Sequence, residues 1–423
     1  MLQTFANAFK IPNLRKKILY TLFMIVIIRL GASVPVPGVN TTVLENIFNQ
    51  FSEGLGMIDT LSGGTLKNMS LFAMGVLPYI NASIIMQLLT VAVPALEKIN
   101  KEEDGRKRIS KYTRYLAIAL SAIQAAGITF ALRGQGILKD PSALSYTVAI
   151  LTMVAGTAIL IWIGDQITEK GIGNGISLII FINILARLPI TLAEIWTKSD
   201  NSPIKYGLIV GVFILVIAFV VFVQDAERRI PVEYAKRLAG RQVYGGQSNH
   251  IPIKVNLSGV MPIIFASSIL QFPVAIKEFV TVSGAKLPDG VSGVINALGT
   301  HQPIGIILYA VLILFFAYFY TTIQFNPVDF ADNLKKSGGV ISGIRPGQPT
   351  VDFITYILNH ITLVGAAFLA IIALLPIVFG NAINMTSLGF TGTSILIAVG
   401  VALDILKQLE ANMVVRHYKG FLS

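Results

Sequence analysis

The sequence predicts an all-α polytopic membrane protein, and three observations carry that prediction. Of 423 residues, 54% are hydrophobic and only 13% are charged, whereas soluble domains carry roughly 25% charged residues. Apolar windows of roughly 20 residues, the length that crosses a bilayer as a helix, recur about ten times. Lysine and arginine also sort by side. With loops counted alternately from the N-terminus, 24 of the 33 fall on the N-terminal side, 8 on the opposite side, and Arg29 lies inside a span. Basic residues favour the cytoplasmic side of a membrane, so both termini are expected in the cytoplasm of a multi-pass protein. The net charge of +11 then largely reflects topology rather than a nucleic-acid partner.

The spans are expected near 18–36, 74–94, 113–132, 144–164, 174–195, 206–224, 257–276, 304–324, 354–379 and 391–409. The first follows Lys10, Arg15, Lys16 and Lys17, a pattern shared with signal peptides. Arg29 interrupts its passage and no small-residue cleavage site is followed by a soluble domain, so it reads as a span. Five spans fall in residues 1–203 and five in 204–423. An odd number per half would place any internal duplication in two inverted halves of five, as in proteins that build a path at the interface of two halves.

One stretch breaks the regularity: Met57 to Leu89, MIDTLSGGTLKNMSLFAMGVLPYINASIIMQLL. Its first part is too short and too polar to span, yet it lies between segments that can. Two readings fit. It is an outside loop followed by an ordinary helix, or it dips into the membrane where protein or a water-filled cavity satisfies its backbone. Val76 and Ile80, like Ile176 and Ile180, are four residues apart and share a helical face. Spacing alone makes them core or lipid-facing residues. GIGNGI (171–176) lacks the spacing and preceding strand of a dinucleotide site and reads as a helix-opening turn with Asn174 at the start of the fifth span.

Two loops on the basic side are long, near 225–256 and 325–353. VEYAKRLAGRQVYGGQSNHIPIKVN (232–256) alternates basic with aromatic or apolar residues around Gly240, Gly245 and Gly246, as a hairpin-like protrusion does. FNPVDFADNLKKSGGVISGIRPGQPT (325–350) carries Arg345 in a Gly-Ile-Arg-Pro-Gly turn. Loops of this length in a compact protein are usually functional, which favours docking over retention for topology alone.

Catalytic chemistry is not legible. The chain has no cysteine, hence no thiolate metal site or thiol nucleophile. Its four histidines, His250, His301, His360 and His417, do not stand at metal-ligand spacing. Paired carboxylates within the spans, where ionisable residues are costly and informative, are lacking. Asp165, Glu169 and Asp404 fall at span ends. No catalytic residues, metal or cofactor are therefore expected.

The stretches FSEGLGMIDTLSGGTLKNMSLFAMGVLPYINASIIMQLL, GRKRISKYTRY, IWIGDQITEKGIGNGISLIIF, ERRIPVEYAKRLAGRQVYGGQSNHIPIKVNLSGVMPIIFASSIL, FNPVDFADNLKKSGGVISGIRPGQPT and TGTSILIAVGVALD together resemble the SecY family, the channel subunits of Sec protein translocation. They follow family order over nearly the whole chain. The resemblance implies a ten-helix hourglass, its two halves clamped around a path for unfolded secretory polypeptide, in a bacterial plasma membrane. It implies a short plug helix near 57–72, including Leu61, Ser62, Gly63, Gly64 and Leu66. By motif position, the pore ring falls on Val76, Ile80, Ile176, Ile180, Ile264 and Ile397. Valine at 76 departs from the isoleucine common in such rings by one methylene.

The resemblance further implies lateral release of apolar segments into membrane lipids between the second and seventh spans, past a gate lined by Asn81, Gln124, Ser267 and Ser268. No energy source is visible in the chain. The implied partners are SecE and SecG subunits, the SecA ATPase or a ribosome docking around Arg237, Arg241 and Arg345, precursors bearing signal sequences, and a second complex in a dimer. Gln242 and Val328 depart from basic residues common at those positions, which weakens or redistributes docking. Two rival readings remain at this point: a small-solute secondary transporter using the broken second span, and an accessory paralogue serving few substrates. A plastid membrane also stays open.

Overall fold

The computed structural model describes residues 9, 11–40, 42–44, 62–102, 104–131, 133, 136–138, 140, 142–198, 202–234, 237–239, 242–244, 249–282, 288–299, 302–382 and 387–417. Ten helices coincide with the ten expected spans. They are α1 (Pro12–Ser33), α2 (Leu77–Ala92), α4 (Gly105–Ala131), α5 (Ala143–Lys170), α6 (Gly175–Lys198), α7 (Pro203–Asp225), α8 (Met261–Val282), α10 (Pro303–Gln324), α12 (Gln348–Ala382) and α13 (Ser387–His417). Three short helices accompany them: α3 (Pro94–Lys101), α9 (Asp289–Ala297) and α11 (Pro327–Lys336). Among the described residues, α5, α7, α10 with its continuation into α11, and α12 are each long and apolar enough to cross a membrane. The bent pair α2–α3 makes a fifth if counted as one broken span.

Helices α1, α2 and α13 depart from a plain apolar span for physical reasons. Helix α2 has 16 residues, about 24 Å of rise, and relies on the irregular segment before it to complete a crossing. Helix α1 carries Arg29 and α13 carries Asp404 and Lys407. Arg29 is tolerated at membrane depth where the helix faces protein rather than lipid, whereas Asp404 and Lys407 lie at the end of their span. The face of α1 that bears Thr21, Met24 and Ile28 is buried, while Leu22, Phe23, Val26 and Leu30 stand exposed on the other. An apolar outer face beside an apolar inner one is what a helix between lipid and core requires.

Helices α1, α4, α12 and α13 overrun their apolar windows by polar turns, because a window marks bilayer thickness and not where backbone hydrogen bonding stops. Between α2 and α3 the axes turn by 99°. Val93 takes φ −108°, ψ 110°, as expected for a residue before proline, which is driven out of the α region. The turn lays α3, with Glu97, Lys98 and Lys101, across the end of the span.

Helix packing follows chain order. Helices α2, α4, α5 and α6 contact in sequence, with α1 against α5 and α6; α8, α10, α12 and α13 do likewise, with α7 against α12 and α13. Contacts between the two groups run through α6 with α13 and through α8 with α2 and α4.

Beyond one end of the bundle lies a three-stranded antiparallel sheet, with β1 (Glu227–Tyr234) between β4 (Asn249–Lys254) and β5 (Gly339–Ile341). A second pair, β2 (Arg237–Ala239) with β3 (Gln242–Tyr244), extends the hairpin. The protrusion expected over 232–256 is therefore present, and β5 adds a partner from the other long loop. Ile230 and Val232 point inward between exposed Arg229, Pro231 and Glu233, the period-2 alternation of a half-buried strand. They pack with Ile253, Leu334, Ile341 and Ile354, so the two basic loops form one body on α12.

Candidate functional site

The irregular segment Ser62–Val76 is a series of turns seated inside the bundle, at the end opposite the sheet. Ser62, Thr65 and Ser70 are 1%, 3% and 0% exposed; the Ser70 hydroxyl is buried without a partner, so the Thr65 hydroxyl and backbone bonds satisfy the segment. The Thr65 hydroxyl lies 3.0 Å from the Ser62 carbonyl and 2.9 Å from the Phe72 carbonyl, sharing its proton between them. The Ser70 amide donates to Thr65 O at 3.0 Å. Extended backbone after α1 pairs with the same segment: Val36 N donates to Met69 O at 2.9 Å and Leu71 N to Val34 O at 2.8 Å. Met69, at φ +40°, occupies a left-handed conformation unusual for its type, held on both sides by these bonds.

Close approach depends on absent side chains. A Cβ on Gly156 of α5 would lie 1.8 Å from the Leu71 carbonyl oxygen, and one on Gly31 of α1 would lie 2.2 Å from the Phe72 ring. Leu66 and Met69 enter an apolar cluster with Val36, Ile128 and Met153. Ser62, Gly63, Gly64 and Leu66 thus lie together in this seat. Leu61 lies outside the described residues.

At the inner end of the segment Val76 opens α2. Val76 and Ile80 from α2, Ile180 from α6, Ile264 from α8 and Ile397 from α13 are buried in one hydrophobic cluster, and Ile176 packs against it. Four helices distant in sequence therefore bring all six expected ring residues into one apolar assembly. The turn before α6 is fixed by Asn174, whose side-chain oxygen accepts from Ile176 N at 3.0 Å and Ser177 N at 3.3 Å, an N-cap. Gly173 adopts φ +82° there. Between this turn and α13 a cavity of about 300 Å³ is lined by Asn174, Ser177, Lys254, Asp404, Lys407 and Gln408, among others. Polar groups thus line a cavity on the sheet-bearing side of the bundle.

The expected gate residues lie on the three helices α2, α4 and α8, which contact one another. Asn81 and Gln124 are half-buried. Ser267 turns its hydroxyl back onto Ile264 O at 3.0 Å, and the Ser268 hydroxyl is buried without a partner. Among the described residues no hydrogen bond joins these four to one another.

On the sheet side, Arg345 is exposed on a turn whose backbone is fixed. Thr350 Oγ1 donates to Arg345 O at 2.9 Å, Ile344 N to Ile341 O at 3.0 Å, and Gly343 and Gly347 take φ +81° and +105°. The backbone of Arg237 pairs with Tyr244. Arg241 lies outside the described residues. Charges near the span ends pair between helices: Arg114 Nε stands 3.0 Å from Asp165 Oδ2, and Lys407 Nζ 2.8 Å from Asp225 Oδ1. On exposed α3, the hydrogen bond and charge of Lys101 hold the Glu97 carboxyl below its ordinary pKa.

The SecY family model matches residues 70–406. The chain belongs to the SecY family. Relatives named protein translocase subunit SecY include those of Streptomyces scabiei, 44% identical with all of both chains covered, and Thermotoga maritima, 41% identical over all of this chain and 98% of the relative. The fold is that of solved channels. A structure described as a protein-conducting channel superposes with TM-score 0.68 at 19% identity, covering 95% of this chain and 93% of the other. Sec61 in a canine ribosome–channel complex from the endoplasmic reticulum superposes with TM-score 0.65 at 18% identity, covering 95% and 93%. The chain is a multi-pass membrane protein of a translocation-channel family and not an enzyme.

Sequence reasoning missed three features of the site: the strand β5 that joins the two loops, the turn at Pro94, and the bond from Arg29 to α6. Only the second left a plain signal, a valine–proline step following an apolar run.

Proposed function

We propose that this chain conducts unfolded secretory polypeptide across a bacterial plasma membrane, with its two halves, 1–203 and 204–423, clamped around the path. The observation that carries the proposal is the SecY family match over residues 70–406, and the expected ring residues Val76, Ile80, Ile176, Ile180, Ile264 and Ile397, from four helices, all belong to the extended apolar core of the bundle. A constriction of branched apolar side chains dewets and so blocks ions, while offering a passing chain no directional bonds that would hold it. The segment near 57–72 serves as the plug, leaving its seat when a chain enters.

Apolar segments leave laterally between α2 and α8, past Asn81, Gln124, Ser267 and Ser268, into lipid. No hydrogen bond joins these four residues across the seam among the described residues, so an apolar signal sequence has only packing to replace. Both termini and the β-sheet body lie on the cytoplasmic side, where the basic residues concentrate. There an external motor such as the SecA ATPase, or a ribosome, docks on the loops carrying Arg237, Arg241 and Arg345, whose charge suits ribosomal RNA. SecE and SecG complete the channel.

The test places a photo-crosslinkable residue at Ile180 in the reconstituted complex and presents a secretory precursor stalled midway by a folded C-terminal domain. An adduct that requires the signal sequence is expected. Absence of adducts at Ile180 and at the other ring positions, in correctly assembled complex, would overturn the pore assignment.

A further inference from the structure

Arg29 is a cation four residues from the end of α1, at a depth where ionisable groups are costly and usually functional. Among the described residues it meets no carboxylate. It donates instead to the Ile182 carbonyl and, at 3.3 Å, to the Asn183 side-chain oxygen, both in α6. A helix carbonyl has a second lone pair beyond its own helix bond, so the guanidinium ties α1 to α6 without breaking α6. What rests on this tie is the irregular segment. Gly63, at φ +77°, lies so close to Asn183 that a Cβ there would stand 2.9 Å from Asn183 Cβ. On the other side, Gly31 receives the Phe72 ring and Val34 and Val36 hold Leu71 and Met69 through backbone bonds. One wall of the seat is α1 with its extension and the other is α6, and Arg29 spans them.

We propose that Arg29 is a positioning residue for the resting plug, fixing the spacing of the two walls so that Gly63 seats against Asn183. The inference rests on the plug reading. It gives a polar reason for closure that is separate from the apolar ring. The planar guanidinium is suited to reaching two acceptors at once, whereas glutamine at 29 ends two bonds short of the guanidinium nitrogens and would leave the carbonyl and the amide without their shared donor.

The chain's lack of cysteine allows a clean test. Ser62→Cys is introduced, the complete complex is reconstituted in vesicles without substrate, and labelling by a membrane-impermeant thiol reagent is timed from the plug side, together with resting ion leak. Ser62 is 1% exposed, so slow labelling is expected. Arg29→Gln should raise labelling and leak about three- to twentyfold, the range for losing one interhelical polar contact in a membrane. Arg29→Lys, which keeps a donor for Ile182, should lie nearer the parent. Labelling of Arg29→Gln at the parent rate, or of Arg29→Lys as fast as Arg29→Gln, would overturn the proposal. If Arg29→Gln does not assemble, Asn183→Ala decides by the same readout: faster labelling supports the seat and the parent rate removes it. Precursor crosslinking at Ile180 is recorded in parallel, so a failure of the channel reading shows there and a failure of the Arg29 role shows only in the resting measurement.

Discussion

The two closures proposed for this molecule are built in opposite ways. The proposed plug is held by directional contacts: two backbone bonds to residues 34–36, a shared threonine proton, and close approaches that only glycine permits. At the proposed lateral seam between α2 and α8, Ser267 bonds its own helix and Ser268 has no partner. Packing holds the seam, and packing is indifferent to register and sequence. The difference fits what must open each one. A plug has a single seated position to return to, whereas a seam must admit apolar segments of many sequences, for which a non-directional surface is the suitable competitor.

The largest effect should come from disturbing the seat at its tightest point. Gly156→Ala places a methyl against the Leu71 carbonyl, and overpacking of this kind costs typically 1–3 kcal/mol. Resting ion leak should rise well above that of Gly127→Ala, where an added Cβ meets nothing within 4 Å. Equal leak in the two variants would break the directional account of the plug. Next, Thr65→Val removes the hydroxyl and leaves two buried carbonyls short of a donor. The loss of roughly 1–3 kcal/mol should appear as faster labelling of Ser62→Cys at rest, with complex assembly retained.

The seam should answer more gently. Ser268→Ala removes a buried hydroxyl without a partner and favours the closed seam, while Asn81→Leu makes it more apolar. Across precursors with graded signal apolarity, the two should shift the threshold by amounts equivalent to about 0.6 kcal/mol, with resting leak unchanged. Unshifted thresholds would argue against a gate role for these positions. Smallest in stability is Arg345→Glu: the side chain is exposed and its turn is held by backbone bonds, so the change should stay within about 0.5 kcal/mol. Translocation should nevertheless fall, because the charge faces the proposed docking partner. Normal export would remove Arg345 from the docking surface.

Much of this arrangement was legible in the chain. Ten apolar windows became ten helices because bilayer thickness imposes a length that composition records. The glycines and the asparagine of GIGNGI announced a turn, and Asn174 indeed caps α6. The ring positions came from family resemblance and not from periodicity, since an isoleucine pair on one face reads the same in any core. What stayed hidden were long-range partners of short or irregular backbone. Gly339–Ile341 is too short to signal a strand, and its pairing with Val232–Tyr234 depends on two loops meeting in space. Arg29 was recognisable as an anomaly, but its acceptors lie more than 150 residues away. The gate positions Ser267 and Ser268 also came from family resemblance, and sequence carries no information on which way their hydroxyls turn.

The most direct measurement of channel and plug together follows one stalled precursor in complexes that carry Ser62→Cys and a photo-crosslinker at Ile180. With the precursor crosslinked at Ile180, Ser62→Cys should change from protected to rapidly labelled, because a chain in the ring and a seated plug cannot share the path. Crosslinking at Ile180 with Ser62→Cys still as protected as at rest would contradict the plug as a closure of this channel.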